Sequence, residues 1–106
     1  MKIKYSNKKT EKICEDYSKA VKQLGKDVAT KLSDLLNAIE AFQNLYDLYQ
    51  LPQYHLHALS GDREYQYSFV IHKGSKWRLI VYPLDEKEML IKAVMVEIVE
   101  VSEHYA

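Results

Sequence analysis

The stretch "YHLHALSGDREYQYSF", residues 54–69, marks the point at which the hydrophobic pattern of this 106-residue chain changes its period. Before it, apolar residues recur at spacings of three and four, which is typical of amphipathic helices. From it onward, apolar and polar residues alternate, which indicates half-buried strands. The chain therefore predicts an α+β fold in which helices come first and most of a sheet follows.

The first half predicts a short strand and a helix hairpin. "KIKY" at residues 2–5 alternates, and Ser6 and Asn7 can cap the helix that follows. Gly25 can end that helix in a left-handed conformation, and a second helix begins almost at once, so the two should pack antiparallel. A further helical stretch at residues 42–52 predicts a ragged helix end or a one-turn extra helix. The apolar faces comprise Ile13, Tyr17, Ala20, Val21 and Leu24, then Val28, Leu32, Leu35, Leu36, Ile39 and Phe42.

The second half predicts four strands separated by short turns. The strands are expected at residues 54–59, 65–72, 77–82 and 91–101. Connections this short favour antiparallel neighbours, because a parallel pair needs a crossover of about a dozen residues. The expected fold is thus an N-terminal strand, a helix hairpin and a four-stranded antiparallel meander, with the helices packed on one face of the sheet. Its length suits one domain spanning residues 1–106.

The composition argues against several classes of protein. Fifteen basic and fifteen acidic residues balance, so the chain lacks the overall positive field of a free-standing nucleic-acid binder. The single cysteine, Cys14, falls in a helical pattern and reads as a small buried residue in a reduced compartment rather than a catalytic thiol. No apolar run approaches the ~20 residues of a membrane span. We therefore expect a cytoplasmic protein without a membrane partner.

Two histidines in the opening stretch raise three possibilities: a metal site, a core position or proton transfer. His55 and His57 would share one face of the predicted strand, but the downstream strand supplies only His72 as a third ligand and no recognisable metal-binding motif is present, so neither a metal nor a cofactor is expected. His57 is followed by a turn carrying Arg63, and Arg78 lies in the strand predicted two along. Arg78 interrupts an apolar run and needs an anion, an internal salt bridge or solvent, which the sequence leaves open. Metal-free acid–base chemistry, in which an arginine stabilises an anion, is still possible. These groups are the minimum needed to cleave RNA through its own 2′-hydroxyl.

These segments resemble a known family. "LHALSGDREYQYSF", then "WRLIVYP" and near the end "VEIVEVSEHY", are similar to the HigB-like branch of the RelE/ParE toxin superfamily. The resemblance spans almost the whole chain and implies a RelE-like fold. It further implies the toxin of a type II toxin–antitoxin system, an endoribonuclease that cuts messenger RNA on the ribosome and so inhibits translation and growth. A cognate HigA-like helix-turn-helix antitoxin would neutralise it, and the toxin would meet DNA only through that complex.

The resemblance also assigns roles to residues. His57 takes the position of the catalytic histidine, Arg78 that of the strand arginine expected to bind the scissile phosphate, and Arg63 that of the turn arginine. The C-terminal catalytic pair maps onto His104 and Tyr105, in the reverse of the commoner Tyr-His order. His57 or Tyr105 would act as general base, and His104 or His57 as general acid.

Two alternatives stay open. A ParE-like protein would poison DNA gyrase by binding and would need no strand histidine. A catalytically degenerate member would survive as an antitoxin-binding module. The inverted His104-Tyr105 order, and Ser60 where several relatives carry a lysine, keep the second alternative in play.

Overall fold

A five-stranded mixed sheet organises the molecule. The computed structural model describes residues 1–85 and 90–103. The strands are β1 (Lys2–Tyr5), β2 (His57–Ala58), β3 (Tyr67–Val70), β4 (Arg78–Pro83) and β5 (Met95–Ser102). They lie in the order β1-β5-β4-β3-β2, and β1 pairs parallel to β5 while all other pairs are antiparallel. The predicted α+β fold with its antiparallel meander is confirmed, and β1 adds the parallel edge.

The helices cover one face of this sheet. They are α1 (Lys8–Glu15), α2 (Tyr17–Leu24), α3 (Lys26–Ala41) and α4 (Leu45–Tyr49), with 3-10 turns at Pro52–Tyr54, Gly61–Arg63 and Leu90–Lys92. One hydrophobic cluster joins the buried sides of the helices to the strand residues that face them. Its fully buried strand members are Phe69, Leu79, Val81, Val96 and Ile98. No helix within residues 1–85 and 90–103 is long and apolar enough to cross a membrane.

The first predicted helix is divided in two. Asp16 has extended backbone angles, ends α1 and begins α2, and its carboxylate accepts from the backbone N–H groups of Ser18 and Lys19. A short acidic side chain that bonds nearby N–H groups competes with the continuing helical ladder. The break rotates Tyr17 to the surface, where it is 49% exposed, so the prediction that it faces the core is wrong.

The remaining helix boundaries agree with the sequence. Asn7 caps α1 by accepting from the backbone N–H of Thr10 at 2.8 Å. Gly25 has a φ of 87° and separates α2 from α3, as its freedom from a Cβ clash predicts. Phe42 lies just beyond α3 rather than within it, and α4 is the predicted one-turn helix.

The first strand of the meander is much shorter than predicted. Tyr54 ends a 3-10 turn and His55 takes the left-handed conformation, with a φ of 48°, so only His57–Ala58 pair with β3. His55 and His57 consequently do not alternate along one strand, and the prediction of a same-face pair is wrong. Tyr65 likewise has a φ of 70° and lies outside β3, which begins at Tyr67.

Candidate functional site

The strand pairing brings the site residues together on the face of the sheet that the helices leave uncovered, here called the outer face. His57 of β2 pairs with Ser68 of β3, Ser68 with Ile80 of β4, and Ile80 with Glu100 of β5. Paired residues point to the same side of a sheet, so these four form one line, here called the His57 row. Neighbouring strands are about 4.8 Å apart, so the row spans about 14 Å. Arg78 belongs to the next line of the same face, paired with Val70 and Ser102.

The backbone beside His57 orients its imidazole. Nδ1 of His57 lies 3.1 Å from the carbonyl oxygen of His55. A carbonyl can only accept a hydrogen bond, so this contact favours the tautomer that carries its proton on Nδ1. Nε2 is then the nitrogen able to accept a proton. His55, whose backbone is left-handed, thus contributes to the site through its carbonyl oxygen rather than through its imidazole.

Arg78 is held by the turn that precedes its own strand. Its Nη1 donates to the carbonyl oxygens of Ser75 at 2.8 Å and Trp77 at 3.0 Å. Its Nε is buried and has no hydrogen-bond partner among the described residues. Backbone carbonyls therefore fix this guanidinium while one buried N–H is left unmatched, an unusual and costly condition for a polar group.

Arg63 reaches across the outer face. Its Nη1 donates to Oε1 of Gln66 at 2.9 Å, and its Nη2 forms a salt bridge with Oε1 of Glu100 at 2.6 Å. Because Arg63 precedes β3 and Glu100 lies on β5, the pair spans β3 and β4. Ile80, in the middle of the His57 row, is fully buried although it faces away from the helices, which agrees with cover from this crossing.

Ser68 adds a second unmatched polar group to the row. Its side chain is completely buried, and its Oγ has no hydrogen-bond partner among the described residues. It lies between His57 and Ile80, so the hydroxyl is at the centre of the site. Neither Ser68 nor Glu100 was identified as a site residue from the sequence.

The structure leaves part of the predicted site undescribed. His104 and Tyr105 lie outside the described residues. Ser60 precedes the Gly61–Arg63 turn, and its carbonyl oxygen accepts from the backbone N–H of Arg63 at 3.2 Å. Within residues 1–85 and 90–103, no group of three His, Cys, Asp or Glu side chains is placed to hold a metal ion.

Comparison with known proteins adds to this geometry. No protein-family model and no curated protein sequence matches the chain. The YoeB-YefM complex from Staphylococcus aureus aligns with a TM-score of 0.60 and 22% identity, over 99% of this chain and 98% of that one. A YoeB/ParE toxin from Agrobacterium tumefaciens aligns with a TM-score of 0.58 and 16% identity, over 99% of this chain and all of that one. This chain has the RelE/YoeB-like toxin fold. The fold predicted from the sequence is confirmed, and at these identities the likeness extends to the fold alone.

Proposed function

We propose that this protein is the toxin of a type II toxin–antitoxin system and acts as a metal-independent endoribonuclease of the HigB-like branch. One observation carries the proposal: on a RelE/YoeB-like fold, the outer face combines His57 with Arg63 and Arg78, the only two arginines of the chain. The other thirteen basic residues are lysines. Both guanidinium groups, whose planar N–H donors match phosphate oxygens, therefore lie on the face that carries the strand histidine.

The proposed reaction uses the RNA's own 2′-hydroxyl. Nε2 of His57, or else Tyr105, takes the 2′-hydroxyl proton, and the 2′-oxygen forms a bond to the adjacent phosphorus. The bond from phosphorus to the 5′-oxygen breaks, and the leaving oxygen takes a proton from His104, or from His57 where Tyr105 is the base. Arg78 and Arg63 stabilise the charge on the phosphoryl oxygens. The products carry a 2′,3′-cyclic phosphate and a 5′-hydroxyl, and only RNA can react.

The partners proposed with this activity are those of the family. A HigA-like helix-turn-helix antitoxin would bind and neutralise the toxin, and the S. aureus structure of the same fold is itself a complex of two named proteins. The ribosome would present messenger RNA in the cytoplasm, and DNA would be contacted only through the antitoxin. The fold would act as one domain over residues 1–106.

Expression in cells tests the assignment of residues. His57→Ala and Arg78→Ala should each abolish the growth arrest that the wild type causes, because losing a general base or acid lowers the rate by roughly 10²–10⁴ and losing one charge stabiliser by roughly 10²–10³. Lys22→Ala, on α2 at the opposite side of the sheet, should retain full toxicity. Circular dichroism must show that all three variants are folded. Full toxicity of both site variants would overturn the assignment.

One observation favours a second candidate, an antitoxin-binding module without catalysis. Both arginines are engaged within the protein, Arg63 by Glu100 and Arg78 by the carbonyls of its turn. RNA ends distinguish the candidates, because a nuclease leaves 2′,3′-cyclic phosphates in messenger RNA after induction and a binding module leaves none. Altered plasmid supercoiling without new RNA ends would instead indicate a gyrase poison.

A further inference from the structure

We propose that Glu100 takes the place of the scissile phosphate in the RNA-free protein, so that RNA binds by exchanging this carboxylate for phosphate on Arg63. Glu100 is then a positioning residue that acts through Arg63 and regulates access to the site. The proposal rests on the RNA-cleaving function given above and deepens it.

The contact has the chemistry of an occupied anion site. Nη2 of Arg63 donates to a carboxylate oxygen of Glu100 at 2.6 Å, a short charge-assisted bond. Carboxylates and phosphates present oxygens that match the same guanidinium N–H groups. A phosphate brought to this N–H group would meet a negative oxygen already there, and the two like charges would repel each other. Arg63 must therefore leave Glu100 in order to bind phosphate fully.

The pair is suited to exchange rather than to permanent structure. The Arg63 and Glu100 side chains are 26% and 35% exposed, so water and incoming anions can reach both. Exposed ion pairs contribute little net stability, whereas buried ones are costly to separate. The second contact of Arg63, from Nη1 to Gln66, does not involve the carboxylate. Gln66 can thus keep the guanidinium over the outer face while Glu100 is released.

The position of Glu100 makes the exchange specific to the site. Glu100 ends the His57 row through its pairing with Ile80. Glu97 lies on the same strand and the same outer face, paired with Tyr82, and has no described contact with Arg63. The chain therefore offers a matched control: two glutamates on one strand and one face, of which Glu100 is described in contact with Arg63, the turn arginine proposed to assist Arg78, and Glu97 is not.

Binding of a non-cleavable RNA tests the proposal apart from catalysis. The probe is a fluorescent single-stranded RNA with every 2′-hydroxyl methylated, measured by anisotropy. Glu100→Gln should bind it about 2- to 5-fold more tightly, the range expected when a partly exposed competing ion pair is removed. Glu97→Gln should gain less, and Glu100→Gln combined with Arg63→Gln should lose the gain. The double variant matters because coupling through Arg63 is the claim.

The salt dependence of RNA binding distinguishes competition by the Glu100 carboxylate from a purely structural role of Glu100. In the wild type, the charge that Arg63 brings to phosphate is offset by the Glu100 carboxylate released beside it. Glu100→Gln removes that offset, so the slope of log affinity against log salt should steepen by about 0.7, the value for one added phosphate contact on a single strand. In cleavage assays the variant should show a lower KM, since it no longer has to displace the carboxylate.

The outcomes separate this inference from the proposed function. A wild type that cuts RNA, together with a Glu100→Gln variant of unchanged or weaker binding, overturns the exchange alone. A gain that persists without Arg63 also overturns it. A wild type that binds the probe but leaves messenger RNA uncut on the ribosome overturns the nuclease function, while the binding shifts still decide the exchange. Absence of probe binding in every form overturns the exchange, whereas messenger RNA left uncut on the ribosome overturns the nuclease function.

Discussion

Ser68→Ala is expected to stabilise the fold and to weaken the activity of the outer face. The Ser68 side chain is fully buried in β3, and its Oγ has no hydrogen-bond partner among the described residues. In the unfolded chain that hydroxyl bonds to water, so burying it unmatched costs about 1–3 kcal/mol. Alanine removes only the oxygen, leaves a space smaller than a methyl group, and loses a few tenths of a kcal/mol in strand preference.

The net gain should be about 1 kcal/mol in the free energy of unfolding. At about 2.1 cal/mol/K of unfolding entropy per residue, that gain raises the melting temperature by about 4–5 °C for a chain of this length. Urea unfolding followed by far-ultraviolet circular dichroism measures it. Thr10→Val is the matched control, because Thr10 is also buried but its Oγ1 donates to the carbonyl of Val99 at 3.4 Å. That variant keeps the shape of the side chain and should lose stability, by about 0.5–1.5 kcal/mol.

The activity of the same variant tests why the unmatched hydroxyl is there. Costly local arrangements persist where function uses them, so a stabilising change that lowers RNA cleavage would indicate that the Ser68 hydroxyl acts on the substrate or on His57. Destabilisation by 1 kcal/mol or more, comparable to the Thr10→Val control, would refute the reasoning. Such a loss of stability would mean that Ser68 Oγ has a hydrogen-bond partner in the folded protein.

Two further predictions concern the helical layer. The Ser18 hydroxyl, with backbone N–H groups, lowers the pKa of the Asp16 carboxyl below 3.8, so the folded state prefers the charged form. The stability that this preference gives is present above pH 3.8 and is lost as the pH falls through the lowered pKa. Asp16→Asn should therefore weaken the pH dependence of unfolding in acid titrations, and an unchanged acid limb would contradict this. Burial raises the pKa of the Cys14 thiol to about 12, so alkylation by iodoacetamide at pH 8 should be far slower in the folded protein than in urea, and equal rates would contradict the burial.

Hydrophobic periodicity predicted the architecture because each segment has one strong local signal. Gly25 separates two helices, the change of period after residue 52 separates helices from strands, and the short turns allow little but a meander. The alternating pattern also predicted that His55 lies in a strand, because the pattern of apolar and polar residues does not reveal a left-handed backbone. The chain turns there through a 3-10 turn that begins at Pro52, and a single φ of 48° removes His55 from the ladder.

Glu100 shows why part of the site could not be predicted. In regular alternation, Val96, Ile98 and Glu100 would share one face, which would place a carboxylate in the hydrophobic core. The register between β4 and β5 shifts instead, so that Val81 pairs with Ile98 while Ile80 pairs with Glu100. The extra residue in β5 turns Glu100 to the outer face, where it meets Arg63. A bulge has no reliable sequence signal, so the residue that completes the row emerged only from the pairing.

Basic and acidic residues balance over the whole chain but are distributed unevenly along it. Residues 1–31 hold nine basic and four acidic residues, and residues 32–106 hold six basic and eleven acidic, so the parts carry about +5 and −5. The positive part forms β1, α1, α2 and the start of α3, whereas the candidate site lies on the opposite side of the sheet. A free RNA strand would be drawn by this field toward the helices rather than toward the His57 row. This distribution favours a large partner that presents the strand to the outer face over diffusion of naked RNA to the site.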